Sequence, residues 1–387
     1  MLKRTPRRAA AVFAVLLAGA AVFAWRGRRA MVDFTVNYTA GDRILHGETL
    51  YRLQDEHYQF KYSPYCAMIY LPMALLPLPA AKAVWFAFVL AALTTMVILT
   101  RRLIGHSRPP TEVWAAAGVP ALVLAKFFVR ELELGQINAI ITAILLGMTI
   151  LLVQDEESRN QGKAAAAGFL WGAALVLKPY AAIFLPYFVV KRKWNALWPG
   201  LIALALSLLA PAFFYGFPGN IAVHEEWIAS LAKSTPGLLA SQDNVSLLAF
   251  LMKRTGDIAV SRLIYAGLIP ALAAAVLAFI RRGRRLKQSL PAEGALLLLL
   301  IPLISPLGWD YTFLSAILAA AVVTSGFREF PPVGRILLGA NFGVIGLTIY
   351  DLMGRKAYAA FMTGSILTVN FLVLAAGLFY LRFTGKA

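Results

Sequence analysis

The sequence predicts an all-α, polytopic helical membrane protein, and three observations carry that prediction. Of 387 residues, 60% are hydrophobic and only 14% charged, against about a quarter charged in an ordinary soluble domain. Apolar stretches repeatedly approach or reach the ~20 residues that a helix needs to cross the hydrocarbon core. These stretches are continuously apolar rather than alternating. That excludes barrel strands and leaves helices, which satisfy their own backbone in lipid.

The elements follow in order. Segment 9–25 comes after basic Lys3, Arg4, Arg7 and Arg8 and resembles a signal peptide; with further spans behind it, it reads as a retained first span. Segments 81–100, 113–129, 136–153, 164–177, 179–190, 196–213, 262–280, 291–304, 313–326, 335–349 and 359–381 complete the set. The total is about 11–13 transmembrane helices. Residues 64–79 are also apolar, but Pro64, Pro72, Pro77 and Pro79 interrupt them, so this run reads as an interfacial or re-entrant element. No soluble domain boundary and no repeat stands out, so 1–387 reads as a single membrane-embedded domain.

Charge sets the expected orientation. The net charge is +18, from 37 Lys and Arg against 19 Asp and Glu. The basic residues cluster between spans, at Arg101-Arg102 with Arg108, at Lys191-Arg192-Lys193, and at Arg281-Arg282-Gly283-Arg284-Arg285. This is the positive-inside signal together with contact to anionic membrane lipids, not a nucleic-acid surface. Stepping through the spans from a cytoplasmic N-terminus puts all three clusters inside, provided Lys178-Pro179 splits 164–190 into two short crossings. Loops 26–63 and 214–261, the Glu131–Gln136 turn, Ser305–Tyr311 and the Tyr350–Tyr358 connector then face outward. Arg26, Arg28 and Arg29 oppose this pattern from the outer side of the first span. Cys66 is the single cysteine, which excludes an intrachain disulfide and a cysteine-based metal site. The four histidines, at 46, 57, 106 and 224, lack metal-ligand spacing.

The outward loops hold nearly all the unusual polar residues, which is the expectation for an enzyme site on a membrane platform. Asp33 lies just past the first span, where partial desolvation suits a general base. Asp42, Glu48, Asp55 and Glu56 compete for that role, and each could equally be a solvated loop acid. Tyr38 and Tyr62 suit a sugar, whose apolar face stacks on a ring, although aromatics at a boundary also serve as belt residues. Gln136 and Asn138 open a span and either bind substrate or cap and cross-link helices. Arg130, with Glu131 and Glu133, forms a charged cluster beside them. Lys178, inside a continuous apolar run, is expensive unless it snorkels or meets an anion, and a phosphate is the natural anion. Asn244 belongs to an Asn-x-Ser pattern, a weak glycosylation signal. Trp309 and Asp310 follow a proline-terminated helix and either bind substrate or mark the interface. No cofactor is required by any motif, and a divalent metal is compatible but not indicated.

Taken in order, these residues resemble a known family. Asp33-Phe34 with Tyr38, Gly47 and Tyr51, then Tyr62-x-Pro64 and Pro77-Leu78-Pro79 before Trp85, are similar to its first-loop pattern. Gly135-Gln136-x-Asn138, Gly168-x-x-x-Gly172 leading to Lys178-Pro179, Asn244-x-Ser246-Leu247 and Ser305-Pro306-x-x-Trp309 continue it. The family is glycosyltransferase family 87, of the membrane-embedded C-type fold, whose members include polyprenol-phosphate-mannose-dependent α-1,2-mannosyltransferases. The resemblance runs from about residue 30 to 315 and rests on the order of motifs, since none is specific alone. It implies a polyprenyl-phosphate-linked sugar donor, an outward-facing site and a first-loop aspartate base, matched here by Asp33. One departure stands out: the family often carries a histidine near Tyr311, and here there is none.

The reading is therefore an inverting polyprenyl-phosphate-sugar-dependent glycosyltransferase in the bacterial plasma (inner) membrane. It would move a hexose or pentose, mannose foremost, to a lipid or glycan acceptor at the outer face. Asp33 is the general base, and Lys178 and Arg130 hold the donor phosphate. The rival class is a flippase or transporter of lipid-linked sugars, for which related halves and mid-membrane polar residues are expected.

Overall fold

The computed structural model describes residues 31–105, 110–158, 161–283 and 289–386. The expectations placed on segment 9–25, on Arg26, Arg28 and Arg29, on His106 and Arg108, and on Arg284 and Arg285 lie outside them. The described residues are helical, with one isolated bridge, between Asn244 and Trp309. Among the described residues, four helices are long and apolar enough to cross a membrane: Leu78–Ile104, Asn138–Ser158, Ile258–Gly283 and Ile366–Phe383. Up to seven spans result if each of three bent helix pairs is one span. Three shorter apolar helices, Pro179–Val190, Leu290–Ile304 and Asp310–Ser325, had been counted as spans in the sequence reading. The all-α polytopic class stands.

Several stretches expected as loops are helices. Within 26–63, residues Val32–Leu45 form a helix that buries Phe34, Asn37, Ala40, Gly41 and Ile44. The spacing is helical, but two members of the buried stripe are Asn and Gly, so hydropathy alone hides it. Within 214–261, Ala212–Leu238 and Leu247–Thr255 are helices. The first is bent by 91° from Trp194–Leu209, and Gly216, at φ 66° and ψ 175°, breaks its early part. Glu131 lies inside the helix Ala125–Leu134, and Tyr350–Thr363 is helical where a connector was expected.

Lys178-Pro179 breaks its run as anticipated. The helix Gln161–Leu177 stops, Lys178 is extended at φ −145° and ψ 124°, and a turn over Pro179–Ile183 leads into Phe184–Val190. Proline forces that outcome by disfavouring the α conformation in the residue before it.

Small residues let the helices approach. A Cβ on Gly172 would lie 2.7 Å from the Gly200 carbonyl oxygen, and one on Gly168 would collide with the Ala196 carbonyl. The Gly168-x-x-x-Gly172 stripe is therefore the seam between Gln161–Leu177 and Trp194–Leu209. One continuous apolar core runs from Met31 to Leu381.

Candidate active site

Several contacts fix the start of the Val32–Leu45 helix. Gly135 holds φ +68°, and a Cβ there would lie 2.6 Å from the Phe34 Cβ, so only glycine fits. The Trp85 indole donates to the Gly135 carbonyl at 2.8 Å, while the Met31 amide donates to the Glu133 carbonyl at 2.7 Å. Phe34 stacks on Trp85 with ring centres 5.5 Å apart. The helix is thereby docked onto the 133–135 turn, which brings Asp33, in its first turn, against Gln136. A carboxylate is favoured there by the positive end of the helix dipole.

Gln136 is the hub. Its Nε2 donates to Asp33 Oδ2 at 2.6 Å and to the Tyr311 hydroxyl at 3.2 Å. Its Oε1 accepts from the Tyr62 hydroxyl at 3.1 Å and from Lys178 Nζ at 3.3 Å. Lys178 also donates to Asn138 Oδ1 at 2.7 Å, and its ammonium sits 5.0 Å from the Tyr62 ring centre. Asn138 Nδ2 donates to the buried Glu131 carboxylate at 2.9 Å, whose other oxygen accepts from the Ala139 amide at 2.8 Å. Glu131 thus caps the N-terminal end of Asn138–Ser158, and through Asn138 it anchors the lysine.

These residues face a cavity of about 950 Å³ lined by Asp33, Lys61, Tyr62, Gln136, Lys178 and Trp309, with Tyr180, Trp227 and Tyr311 among the others. Among the described residues, Asp33 is the one carboxylate in the lining, against two lysines, so the cavity favours an anion. Burial lowers the pKa of Lys61, while Asp33 pulls it up. Burial raises the Tyr62 phenol well above its ordinary value, followed by the nearby Asp33 charge, so Tyr62 serves as a neutral donor. The Asp42, Glu48, Asp55 and Glu56 side chains line no part of this cavity. Asp55 pairs with Arg43, and Glu48 with Arg52.

Four of the sequence candidates stand elsewhere. The Tyr38 hydroxyl donates to the Leu76 carbonyl at 2.9 Å and its ring packs on Phe34, because its helix position faces the protein, not the cavity. Arg130 is half exposed, lies 3.8 Å from Glu133 and does not line the cavity. Its helix ends before the turn that delivers Gln136. Asn244 is fully buried: its Nδ2 donates to the Pro306 carbonyl at 3.0 Å and its Oδ1 accepts from the Gly308 amide at 3.1 Å. It staples the 305–309 wall and does not face the cavity. Asp310 accepts from the Tyr311 amide at 2.8 Å and is likewise absent from the lining. Asn138 stands one layer behind the cavity.

Sequence reasoning missed Lys61, Tyr180, Trp227 and Tyr311 as lining residues. Lys61 had a signal, since an extended stretch alternates its side chains, and Gln59 and Lys61 both face the cavity. Trp227 reaches it from the Ala212–Leu238 helix, its indole donating to the Lys61 carbonyl at 3.1 Å. Among the described residues, no three His, Cys, Asp or Glu side chains come together as a metal site.

The model of glycosyltransferase family 87 matches residues 60–306, more than half of the chain. The chain belongs to glycosyltransferase family 87. The matched stretch contains Lys61, Tyr62, Gln136 and Lys178 and stops short of Asp33 and Trp309 on either side. Two relatives come from Mycolicibacterium smegmatis. A polyprenol-phosphate-mannose-dependent α-(1-2)-phosphatidylinositol mannoside mannosyltransferase is 30% identical over 36% of this chain and 32% of its own length. A polyprenol-phosphate-mannose-dependent α-(1-2)-phosphatidylinositol pentamannoside mannosyltransferase is 27% identical over 35% of this chain and 30% of its own. A phosphatidylinositol mannoside mannosyltransferase of Mycobacterium tuberculosis is 27% identical over 39% of this chain and 36% of its own. The matches thus span about a third of the length of these curated relatives. No solved structure matches the chain.

Proposed function

We propose that this family 87 protein transfers a hexose, mannose foremost, from a polyprenyl-phosphate donor to a lipid or glycan acceptor, with inversion, at the outer face of a bacterial plasma membrane. One observation carries the reading: a single cavity holds the Asp33 carboxylate and the Lys178 ammonium on opposite ends of the Gln136 carboxamide, at 2.6 and 3.3 Å. The three relatives, each a polyprenol-phosphate-mannose-dependent mannosyltransferase, support the donor class. The basic connectors support the orientation.

The chemistry follows from that spacing. The donor phosphate lies against Lys178 and Lys61, and the sugar's anomeric carbon faces Asp33. As an acceptor hydroxyl attacks, its proton passes to Asp33, a bond forms from its oxygen to the anomeric carbon, and the bond to the phosphate oxygen breaks. Attack from the face opposite the phosphate inverts the centre through an oxocarbenium-like state. The leaving polyprenyl phosphate gains negative charge, which the lysines stabilise more strongly away from water. Gln136 holds base and cation at fixed separation without carrying charge itself.

Asp33→Asn tests this reading. The amide is nearly isosteric but accepts no proton, so turnover should fall by about 10²–10⁴-fold with donor affinity and unfolding temperature kept. The measurement is transfer from a labelled polyprenyl-phosphate mannose in nanodiscs. Full activity in Asp33→Asn would refute the assignment of the base.

A further inference from the structure

A second cavity, of about 520 Å³, lies along the adjoining face of the Val32–Leu45 helix and is lined by Thr35, Thr39, Arg43, Asp55, Glu56 and Lys82 among others. Val36 lines both cavities, so a single helix ridge separates this space from the one that holds Asp33. The extended stretch before Tyr62 is shared in the same manner: Gln59 and Lys61 face the first cavity, while Phe60 faces the second.

From this arrangement we propose that the second cavity is the subsite for the neutral polyhydroxyl headgroup of the acceptor, whose reacting hydroxyl reaches over Val36 to Asp33. The inference rests on the transferase reading above and names the part of the site where the second substrate sits.

The charge balance separates the two spaces. The first cavity sets two lysines against one carboxylate, a surplus that suits a phosphate. The second sets Arg43 and Lys82 against Asp55 and Glu56, so it has no surplus and gives an anion no net attraction. What it offers is many directional groups at close quarters. Arg43 Nη2 donates to Asp55 Oδ1 at 2.9 Å, which fixes both planar heads as a rigid edge with acceptor positions left over on the carboxylate. Thr39 lines the same wall one helical turn before Arg43, and the Thr35 hydroxyl donates to the Met31 carbonyl at 3.0 Å. Tyr58, half exposed, adds an aromatic ring. Hydroxyl-bonding edges beside an aromatic face are the complement of a sugar, and the volume lies within the ~300–1,000 Å³ of small-molecule sites. Its position beside Asp33, outside the space holding Lys178, also lets the acceptor approach the base while the donor occupies the first cavity.

The test uses the full chain in nanodiscs, with octyl α-mannoside as acceptor probe and polyprenyl-phosphate mannose as donor. Thr39→Val removes a hydroxyl at constant shape and Glu56→Gln removes a charge at the rim, so both variants should fold. Each should raise the dissociation constant for octyl α-mannoside about tenfold, as expected for loss of a hydrogen bond to a polar ligand, and leave donor affinity unchanged. Wild-type protein that does not bind octyl α-mannoside, or unchanged affinity in both variants, overturns the proposal even where transfer is measured. Mannoside binding that depends on Thr39 and Glu56, with no transfer by wild-type protein, refutes the transferase reading and leaves the polyol site standing.

Discussion

Lys178→Met is the perturbation with the clearest expected magnitude. The ammonium donates to Asn138 Oδ1 at 2.7 Å and to Gln136 Oε1 at 3.3 Å. Neither acceptor is orphaned by its removal, because Asn138 Oδ1 still accepts from the Tyr180 hydroxyl at 3.3 Å and Gln136 Oε1 from the Tyr62 hydroxyl at 3.1 Å. Methionine is close in length, and the charge it removes costs on the order of 2.5–3.5 kcal/mol at mid-membrane depth unless offset. Folding should therefore be kept. A hydrogen bond to a charged group contributes about 1.5–3 kcal/mol, so donor affinity should fall by roughly 10- to 150-fold, with a further loss in turnover as the leaving charge grows. Lys178→Arg should restore part of both, since the planar head is larger and less able to follow a phosphate. Donor affinity and single-turnover rate in nanodiscs are the measurements. A lysine that only snorkels to headgroups would tolerate methionine. Unchanged affinity and rate in Lys178→Met would therefore remove this residue from the mechanism.

Gly135→Ala should lower stability by about 1–3 kcal/mol through strain at positive φ, aggravated by the 2.6 Å approach of its Cβ to Phe34; thermal unfolding in detergent reads the loss. Burial lowers the Lys61 pKa, so the charged form that attracts phosphate is lost at a lower alkaline pH than for a free lysine. Lys61→Arg, which does not titrate there, should move the alkaline limb of donor binding upward; an unmoved limb would exclude Lys61 from phosphate binding. In a Cys66→Ala background, cysteines introduced at 42 and 237 should react with an impermeant thiol probe in spheroplasts, and those at 106 and 284 should not. The opposite pattern would reverse the orientation and place the cavity on the cytoplasmic side.

What the sequence disclosed depended on how local the governing physics is. The Lys178-Pro179 break was legible because proline restricts its immediate neighbour whatever the fold. The membrane-spanning class was legible because it needs only length and hydropathy. The Val32–Leu45 helix was not, because a polar Asn37 and a Gly41 pressed against Tyr70 occupy its buried stripe. Their fitness for that face is set by the partner, not by their own chemistry. Side-chain direction was the other loss. Tyr38 and Asp33 lie on one helix, yet one packs against Phe34 and the other lines the cavity, a difference set by helical rotation about an axis the sequence does not fix. Asn244 looked like a polar loop residue and is a buried staple, because two of its partners, Pro306 and Gly308, sit more than sixty residues away.

Gln136 shows why a neutral residue sits at the centre of so charged a site. A carboxamide presents a donor at one end and an acceptor at the other, and here the donor meets Asp33 while the acceptor meets Lys178. A glutamate in its place would set two carboxylates within hydrogen-bond distance and force one to take a proton. A lysine or arginine would offer no acceptor to Lys178 and would add a third cation. The Tyr311 hydroxyl accepts from the same amide nitrogen, so this wall of the cavity is polar and tied to the hub. With Glu131 capping the adjacent helix and Asn138 carrying that anchor to Lys178, the Asp33 carboxylate and the Lys178 ammonium are held from one rigid turn. Their separation is then a property of the backbone around Gly135, which is the arrangement the proposed reaction needs, with proton removal and phosphate departure occurring together.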